Sequence, residues 1–224
     1  IAVIAMIYHM FYGMQKSYGN LEGALAIMAN GALILQFPLA HSFLLSQRGQ
    51  KILSLLGPKD LAISLSTTSF TIVASIQLFV LFMLWSPSKI VFELPFEFLI
   101  YILPILYCLS WFLLIVATID AGLEVQSGAL GWISVVARKK PKFPELPTTG
   151  LYRVIRHPIY ASFFLAVLTV PTWTADQFVV SLILGGYCIF APILKDRRLI
   201  DRHGEKYLSY KNTTPYMLPR KRIK

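Results

Sequence analysis

Long apolar stretches separated by short polar ones dominate the sequence. Because a membrane-spanning helix needs roughly 20 mostly apolar residues, the pattern predicts about six spans. They cover approximately residues 1–12, 21–45, 61–85, 96–119, 158–174 and 177–194. The first is short, the fifth is somewhat short for a straight span, and Pro38 predicts a kink in the second. The segment "PTWTADQ" between the last two predicts a tight helical hairpin. The expected fold is an all-α integral membrane protein.

The composition supports this fold class. Of 224 residues, 56% are hydrophobic and only 14% are charged, whereas a soluble domain of this length would need more polar surface. The two cysteines, Cys108 and Cys188, both lie in apolar stretches. They are therefore expected to be buried thiols, and a disulfide framework is not expected.

The charge distribution predicts an orientation. The formal net charge is +10, and basic residues concentrate after the second span (Arg48, Lys51, Lys59), in the loop 121–156 and in the tail from Lys195 to Lys224. The positive-inside rule then places this loop and the C-terminal tail in the cytoplasm. Anionic membrane lipids are the expected partners of these charges, and nucleic acid is not, because the basic residues lie close to the membrane.

The tail itself has helical character. The segment "KDRRLIDRHGEKYLSYKN" places apolar residues among charges, which predicts an interfacial C-terminal helix. Gly204 is expected to interrupt this helix, and Pro215 and Pro219 to end it. No repeat or second domain is visible, so residues 1–224 are expected to form a single membrane domain.

Most familiar catalytic patterns are missing from the sequence. The four histidines are scattered without ligand spacing, so no metal site is expected. Nucleophile elbows and glycine-rich nucleotide loops are also absent. What remains is "GLYRVIRHPIYASF", which places Arg153, Arg156 and His157 at the edge of an apolar stretch. Ionisable groups in such places usually have a function or a nearby interface.

Two blocks of the sequence resemble a known family. The first is Gly150, Tyr152, Arg153, Arg156, His157, Pro158 and Tyr160, spaced as G-x-Y-R-x-x-R-H-P-x-Y, and the second is "KDRRLIDRHGEKYLSYKNTTPYMLPR". Together they resemble the isoprenylcysteine carboxyl methyltransferase superfamily, which includes bacterial phospholipid methyltransferases. The stretches "VPTWTADQFVVSLILGGY" and "FPLAHSFLLSQRG" look most like its methanethiol S-methyltransferase branch. The resemblance is strong from Gly150 to Pro219, weaker from Phe37 to Trp85, and mostly hydropathy in between.

The resemblance implies S-adenosylmethionine as methyl donor, bound by the last helices and the tail. The branch also implies a bacterial inner membrane as the expected location, and an organelle membrane stays open. Residues 121–224 would form the methyltransferase core, preceded by N-terminal helices in residues 1–120. Arginine suits the donor carboxylate, tyrosine rings suit adenine or the sulfonium, and a carboxylate suits the amino group or ribose. The implied donor-binding residues are Tyr152, Arg153, His157, Pro158, Tyr160, Asp196, Tyr207 and Tyr210, and the implied catalytic residues are Arg156, His157 and Tyr160.

Structural readings of the same residues stay open. The two arginines would serve as interfacial anchors, Pro158 as the first residue of a helix, and Tyr207 and Tyr210 as docking contacts of the tail. His41 would be a polar contact inside the helix bundle, or a substrate-binding residue. A small thiol is the leading acceptor, and a prenylcysteine carboxylate or phospholipid amine, both lipid-like, are the alternatives.

Two positions depart from the family pattern. Lys195 and Asp196 stand where the family usually has two glutamates, and Ser162 stands where glycine is common. Lys195 could pair with Asp196 and remove it from the site. This departure motivates a second hypothesis, a non-catalytic accessory or scaffold subunit of a larger membrane complex. A transporter is disfavoured, because the spans hold few ionisable residues and show no internal symmetry.

Overall fold

The computed structural model describes residues 1–56, 58 and 61–219. Its helices are α1 (Ala2–Phe11), α2 (Gly23–Leu44), α3 (Gln47–Leu53), α4 (Ala62–Leu84), α5 (Leu99–Asp120), α6 (Leu123–Gln126), α7 (Ala129–Val136), α8 (Pro158–Leu168), α9 (Ala175–His203) and α10 (Glu205–Thr213), with 3-10 turns at Ser54–Leu56 and Gly150–Arg153. Across these residues the only β pairing is an isolated bridge between Val91 and Thr174. The all-α prediction is confirmed. Lys59 and the basic residues from Arg220 onward, which entered the charge argument, lie outside the described residues.

Four helices are long and apolar enough to cross a membrane. They are α2, α4, α5 and α9, and they make this chain a membrane protein. The helices α1 and α8 are apolar but have only 10 and 11 residues, well short of the roughly 20 that a span needs. The prediction of six spans is therefore not confirmed. Residues 121–156, predicted as a loop, contain the two short helices α6 and α7.

The first helix of the hairpin formed by α8 and α9 is shorter than predicted. Pro158 is the first residue of α8, where its missing N–H costs nothing. This helix ends at Leu168 and not at residue 174, because the chain turns at Pro171 and then caps the next helix. The Thr174 hydroxyl accepts a hydrogen bond from the Gln177 N–H at 3.0 Å, which fixes the start of α9.

The last predicted span and the first part of the tail form one continuous helix. α9 runs for 29 residues, through Lys195 to His203. It ends at Gly204, whose φ of +53° is costly for residues with a side chain. α10 follows directly and packs back on α9. The predicted interruption at Gly204 is confirmed, but the tail is two helical pieces, and the first of them belongs to a membrane-crossing helix.

The core lies where six of the helices meet. α5 packs on α8, α8 on α9, and α1 and α2 on α4. Fully buried side chains between them include Met10, Phe82, Trp85 and Tyr107. Ser162, in place of the family's glycine, is buried in α8 and fits as a small residue.

The two cysteines differ in their surroundings. Cys188 is buried, whereas Cys108 is exposed on α5, and both are free thiols. The expectation of two buried thiols is therefore wrong for Cys108. This residue lies on an outward face of a membrane-crossing helix, where apolar side chains such as Ile105 and Phe112 are also exposed.

α9 has a buried aspartate near each of its ends. Asp176, in its first turn, is 5% exposed and accepts four hydrogen bonds. The donors are the Gln15 amide at 3.0 Å, the Trp85 indole at 2.9 Å, and the Ser88 N–H and hydroxyl at 2.9 and 2.7 Å. One carboxylate thus joins the segments after α1 and α4 to the start of α9.

Candidate active site

The second buried aspartate of α9 organises the C-terminal part of the chain. Oδ2 of Asp196 lies 3.2 Å from Nη2 of Arg156, and Oδ1 lies 2.9 Å from Nε2 of His157. The Tyr207 hydroxyl on α10 donates a hydrogen bond to the same Oδ1. We call Arg156, His157, Asp196 and Tyr207 the Asp196 cluster. It connects the start of α8 to the end of α9 and to α10.

Arg156 also holds the segment that follows α10. Its Nη1 donates to the carbonyl oxygens of Lys211 at 2.8 Å and Thr214 at 3.0 Å. Its backbone N–H donates to the Pro215 carbonyl at 2.8 Å, and its guanidinium lies over the Tyr216 ring. Both terminal nitrogens of Arg156 are thus bonded within the protein, and its predicted role towards a donor carboxylate stays a prediction.

His157 is almost completely buried, at 1% exposure. This burial lowers the pKa of His157 below its ordinary value, although the neighbouring Asp196 carboxylate acts in the opposite direction. The His157–Asp196 contact is close but lies outside hydrogen-bond geometry, and Nδ1 has no hydrogen-bond partner in the described part of the chain. The lowered pKa favours the neutral form of the imidazole, and Nδ1 retains unused hydrogen-bonding capacity.

Lys195 does not take Asp196 out of the cluster. Its ammonium lies 6.0 Å from the centre of the Tyr152 ring and 5.7 Å from that of Tyr160. Both distances are typical of cation–π contacts. The carboxylate of Asp196 is instead taken by Arg156, His157 and Tyr207. The lysine that stands in place of the family's glutamate is thus accommodated by two aromatic rings.

A cavity of about 140 Å³ lies beside the Asp196 cluster. Four of the residues predicted from sequence line it: Tyr152, Arg156, Tyr207 and Tyr210. Its other walls come from residues 143–147, from the chain after α5 and from the face of α9 that carries Lys195, Leu199 and Arg202. The structure therefore brings the two sequence blocks together around one concave site.

The tyrosines of α10 use their hydroxyls to dock the helix. Tyr207 donates to Asp196, and Tyr210 donates to the Tyr152 carbonyl oxygen at 2.6 Å. Burial raises the pKa of Tyr210 to about 12 and also raises that of Tyr207, so both phenols stay protonated hydrogen-bond donors. Their hydroxyls thus dock α10 onto the protein, which is the structural alternative left open by the sequence, and both residues also line the cavity.

The remaining predicted residues do not line this cavity. Arg153 is exposed outside it. His157, Pro158 and Asp196 are buried but are not among its lining residues, and Tyr160 packs against Lys195. The predicted set is thus divided between the cavity and the supporting cluster.

Some lining residues were missed by the sequence reading. Arg202, His203, Gln126 and Glu145 line the cavity but were not among the predicted site residues. A signal for Arg202 was present, because reading the tail as a continuation of the last span puts Lys195, Leu199 and Arg202 on one helical face. No comparable signal marked Glu145, which lies in an irregular segment.

Comparison with known proteins supports the resemblance seen in the motifs. No protein-family model and no solved structure matches the chain. A methanethiol S-methyltransferase of Pseudomonas deceptionensis is 26% identical over 211 residues, which cover 92% of this chain and 79% of that protein. Methanethiol S-methyltransferase 1 of Bradyrhizobium diazoefficiens is 26% identical over 198 residues, with 88% and 68% covered.

A third relative has the same name. The methanethiol S-methyltransferase of Mycobacterium tuberculosis is 23% identical over 197 residues, which cover 87% of this chain and 78% of that protein. These matches reach into the N-terminal half, where the resemblance carried by the motifs was weaker. The chain is thus similar along most of its length to methanethiol S-methyltransferases, and the resemblance predicted from its motifs is confirmed.

Proposed function

We propose that this protein is a membrane methyltransferase that uses S-adenosylmethionine to methylate a small thiol. The observation that carries the proposal is the cavity beside the Asp196 cluster, lined by tyrosines and by cationic side chains from both sequence blocks. The names of the relatives supply the acceptor class. The proposed location is a bacterial inner membrane, with the cavity and the tail on the cytoplasmic side.

The residues around the cavity fit the chemistry of the donor. Arg202 and Lys195 offer positive charge for its carboxylate. The carboxylate of Glu145 offers negative charge for its amino group, or accepts hydrogen bonds from its ribose hydroxyls. Two buried polar atoms of lining residues, Tyr152 Oη and Arg156 Nε, have no hydrogen-bond partner in the described chain. Because buried polar groups are normally satisfied, a polar ligand in this cavity would complete them.

Admission of the donor requires a local opening. Pockets for ligands of this size usually measure roughly 300 to 1,000 Å³, more than the 140 Å³ of this cavity. Residues 143–147 form one wall, and the ion pair of Glu145 with Lys206 at 2.9 Å, exposed on both sides, holds them. Since such exposed pairs contribute little, this segment is the wall that moves most easily.

When bound, the donor supplies a methyl group activated by a positive sulfonium. The chain contributes position more than acid–base chemistry: the Asp196 cluster fixes α10 and the start of α8 around the cavity, which aligns the reactants. The cations Lys195 and Arg202 also favour the thiolate form of an acceptor, which is the nucleophilic form.

Arg202 provides the sharpest test of the donor site. Loss of a charge-assisted hydrogen bond worth about 1.5 to 3 kcal/mol should weaken S-adenosylmethionine binding by roughly 10- to 150-fold in Arg202→Met. Calorimetry on the detergent-solubilised protein measures this affinity, and transfer of labelled methyl to methanethiol measures turnover. Arg197→Met is the matched control, because Arg197 is also an exposed arginine of α9 but does not line the cavity.

Equal affinities in the two arginine variants would remove Arg202 from the donor site. If folded wild-type protein binds no S-adenosylmethionine, the methyltransferase proposal is wrong, and an accessory subunit of a membrane complex becomes the better function. The observation favouring that second candidate is the internal use of Asp196, whose carboxylate is already contacted by four side chains: Arg156, His157, Tyr207 and Lys211. Methyl transfer to a prenylcysteine or a phospholipid amine, with none to methanethiol, would support the methyltransferase proposal but contradict the proposed thiol acceptor.

A further inference from the structure

One buried tyrosine of the donor cavity lies in a short turn that follows an irregular segment. Tyr152 is 2% exposed, lines the cavity and belongs to the 3-10 turn Gly150–Arg153. The chain reaches this turn through residues 140–148, an irregular stretch with three prolines. Because prolines have no N–H to donate, this stretch has few hydrogen bonds of its own to fix the turn. The position of Tyr152 therefore depends on contacts with other parts of the protein.

Asp120, the last residue of α5, supplies such a contact. Its Oδ2 accepts a hydrogen bond from the Leu151 N–H at 2.8 Å. Thr149 precedes the turn but makes no side-chain cap, so the carboxylate of Asp120 does what a capping side chain does elsewhere. Hydrogen bonds to a charged acceptor are stronger than those between neutral groups. Since α5 also packs on α8, Asp120 joins the turn to the helical core.

Gly150 allows the carboxylate to come this close. A Cβ atom at this position would overlap the carboxylate of Asp120. The φ of Gly150 is +55°, which is also costly for residues with a side chain. Glycine is thus required here both by its backbone conformation and by its neighbour. Asp120 and the turn are 31 positions apart in the chain but form one structural unit.

Other elements hold Tyr152 from the opposite side. Its carbonyl oxygen accepts a hydrogen bond from the Tyr210 hydroxyl at 2.6 Å, and the Lys195 ammonium lies 6.0 Å from the centre of its ring. Ala121, the residue after Asp120, lines the cavity, whereas Asp120 itself does not. Asp120 is therefore placed to act on the cavity through Tyr152 and not by touching a ligand.

We propose that Asp120 is a positioning residue of the donor site, whose carboxylate holds the Gly150 turn so that Tyr152 keeps its place in the cavity wall. This inference rests on the proposed methyltransferase function. A displacement of about 1 Å in a site that works by alignment can cost roughly 100-fold in rate. Because Tyr152 belongs to the donor cavity, loss of the Asp120 contact affects the donor more than the acceptor.

Substitution of Asp120 should separate the two substrates. In Asp120→Ala, loss of a hydrogen bond to a charged acceptor should weaken S-adenosylmethionine binding, measured by calorimetry on the detergent-solubilised protein, by roughly tenfold or more. The KM for the donor should rise by a similar factor, while the KM for methanethiol at saturating donor should not change. Asp120→Asn should bind the donor nearly as wild type does, because its amide oxygen still accepts from the Leu151 N–H. Glu124→Ala is the matched control, since Glu124 is a nearby exposed acid that does not line the cavity.

A double-mutant cycle distinguishes positioning from a general loosening of the fold. Tyr152→Leu alone should also weaken donor binding by roughly tenfold, as expected for a lost aromatic contact with a cation. Adding Asp120→Ala to Tyr152→Leu should then have little further effect, because the tyrosine that Asp120 positions is already gone. Independent effects on donor affinity would instead multiply.

Each outcome decides the assignment. Multiplying effects in the cycle, or unchanged donor affinity in folded Asp120→Ala, would overturn it while leaving the methyltransferase function intact. Donor affinity lost in Asp120→Asn as well would also overturn it, because the charge would then act on the ligand directly. A wild-type protein that binds no donor would refute the proposed function itself, and this inference with it. If Asp120→Ala does not fold, Gly150→Ala, which displaces the same carboxylate, replaces it in the cycle.

Discussion

Replacement of Asp196 by alanine is expected to lower the free energy of unfolding by about 3 to 5 kcal/mol, the usual cost of breaking a buried ion pair from one side. Arg156 and His157, whose side chains are at most 10% exposed, would lose their carboxylate. Tyr207 would lose its acceptor. Because the same contacts dock α10, the cavity wall formed by Tyr207 and Tyr210 would loosen, and donor binding should be lost.

Thermal unfolding in detergent and calorimetry with S-adenosylmethionine measure the two effects. Asp201→Ala is the control, since Asp201 is an exposed aspartate of the same helix, and it should behave as wild type. The stability and donor affinity of Asp196→Asn should lie between those of Asp196→Ala and the wild type. The amide keeps an acceptor for Tyr207 but loses the charge that Arg156 requires. A stable Asp196→Ala protein with unchanged donor affinity would contradict the role assigned to the cluster.

Replacement of Asp176 by alanine is expected to cost about 3 kcal/mol, from the loss of several hydrogen bonds to a charged acceptor. The buried Trp85 indole would be left without its acceptor, and the Ser88 N–H and hydroxyl and the Gln15 amide would lose theirs. Asp176 also lies in the first turn of α9, where its charge interacts favourably with the helix dipole. The lost stability therefore comes from the contacts that hold the segments after α1 and α4 against the start of α9.

The two aspartate variants should differ in ligand binding. Protein that remains folded after Asp176→Ala should bind S-adenosylmethionine as wild type does, because Asp176 and the cavity lie at opposite ends of α9. Glu97→Ala, at an exposed acid before α5, is the control for charge removal. Loss of donor affinity in folded Asp176→Ala would show that the two ends of α9 are coupled.

The case of Arg156 shows why the site was only partly predictable. The motif spacing identified the residue, and the expected partner was a donor carboxylate. In the structure its partners are Asp196 and the carbonyl oxygens of Lys211 and Thr214, which are 40 to 58 positions away in the chain. Backbone carbonyls have no sequence signature, so this use of an arginine becomes visible only when the chain is folded.

Lys195 and Arg202 also show what could not be predicted from the sequence. The sequence marked Lys195 as a departure from the family pattern and left open whether it would pair with Asp196. Its direction towards Tyr152 and Tyr160 depends on how α8 and α9 pack. Arg202 was overlooked because the tail was read as a separate interfacial helix, although it continues a membrane-crossing one.

The sequence by itself determined what depends on local pattern: the helical membrane class from the length of its apolar runs, the start of α8 at Pro158, the break at Gly204 and the resemblance carried by two motifs. Only the tertiary structure decided which apolar runs are long enough to cross, how Asp196 and Asp176 are satisfied, and which motif residues line the cavity. The physical reason is that burial, ion pairing and side-chain direction depend on contacts between distant segments, which hydropathy and spacing do not encode.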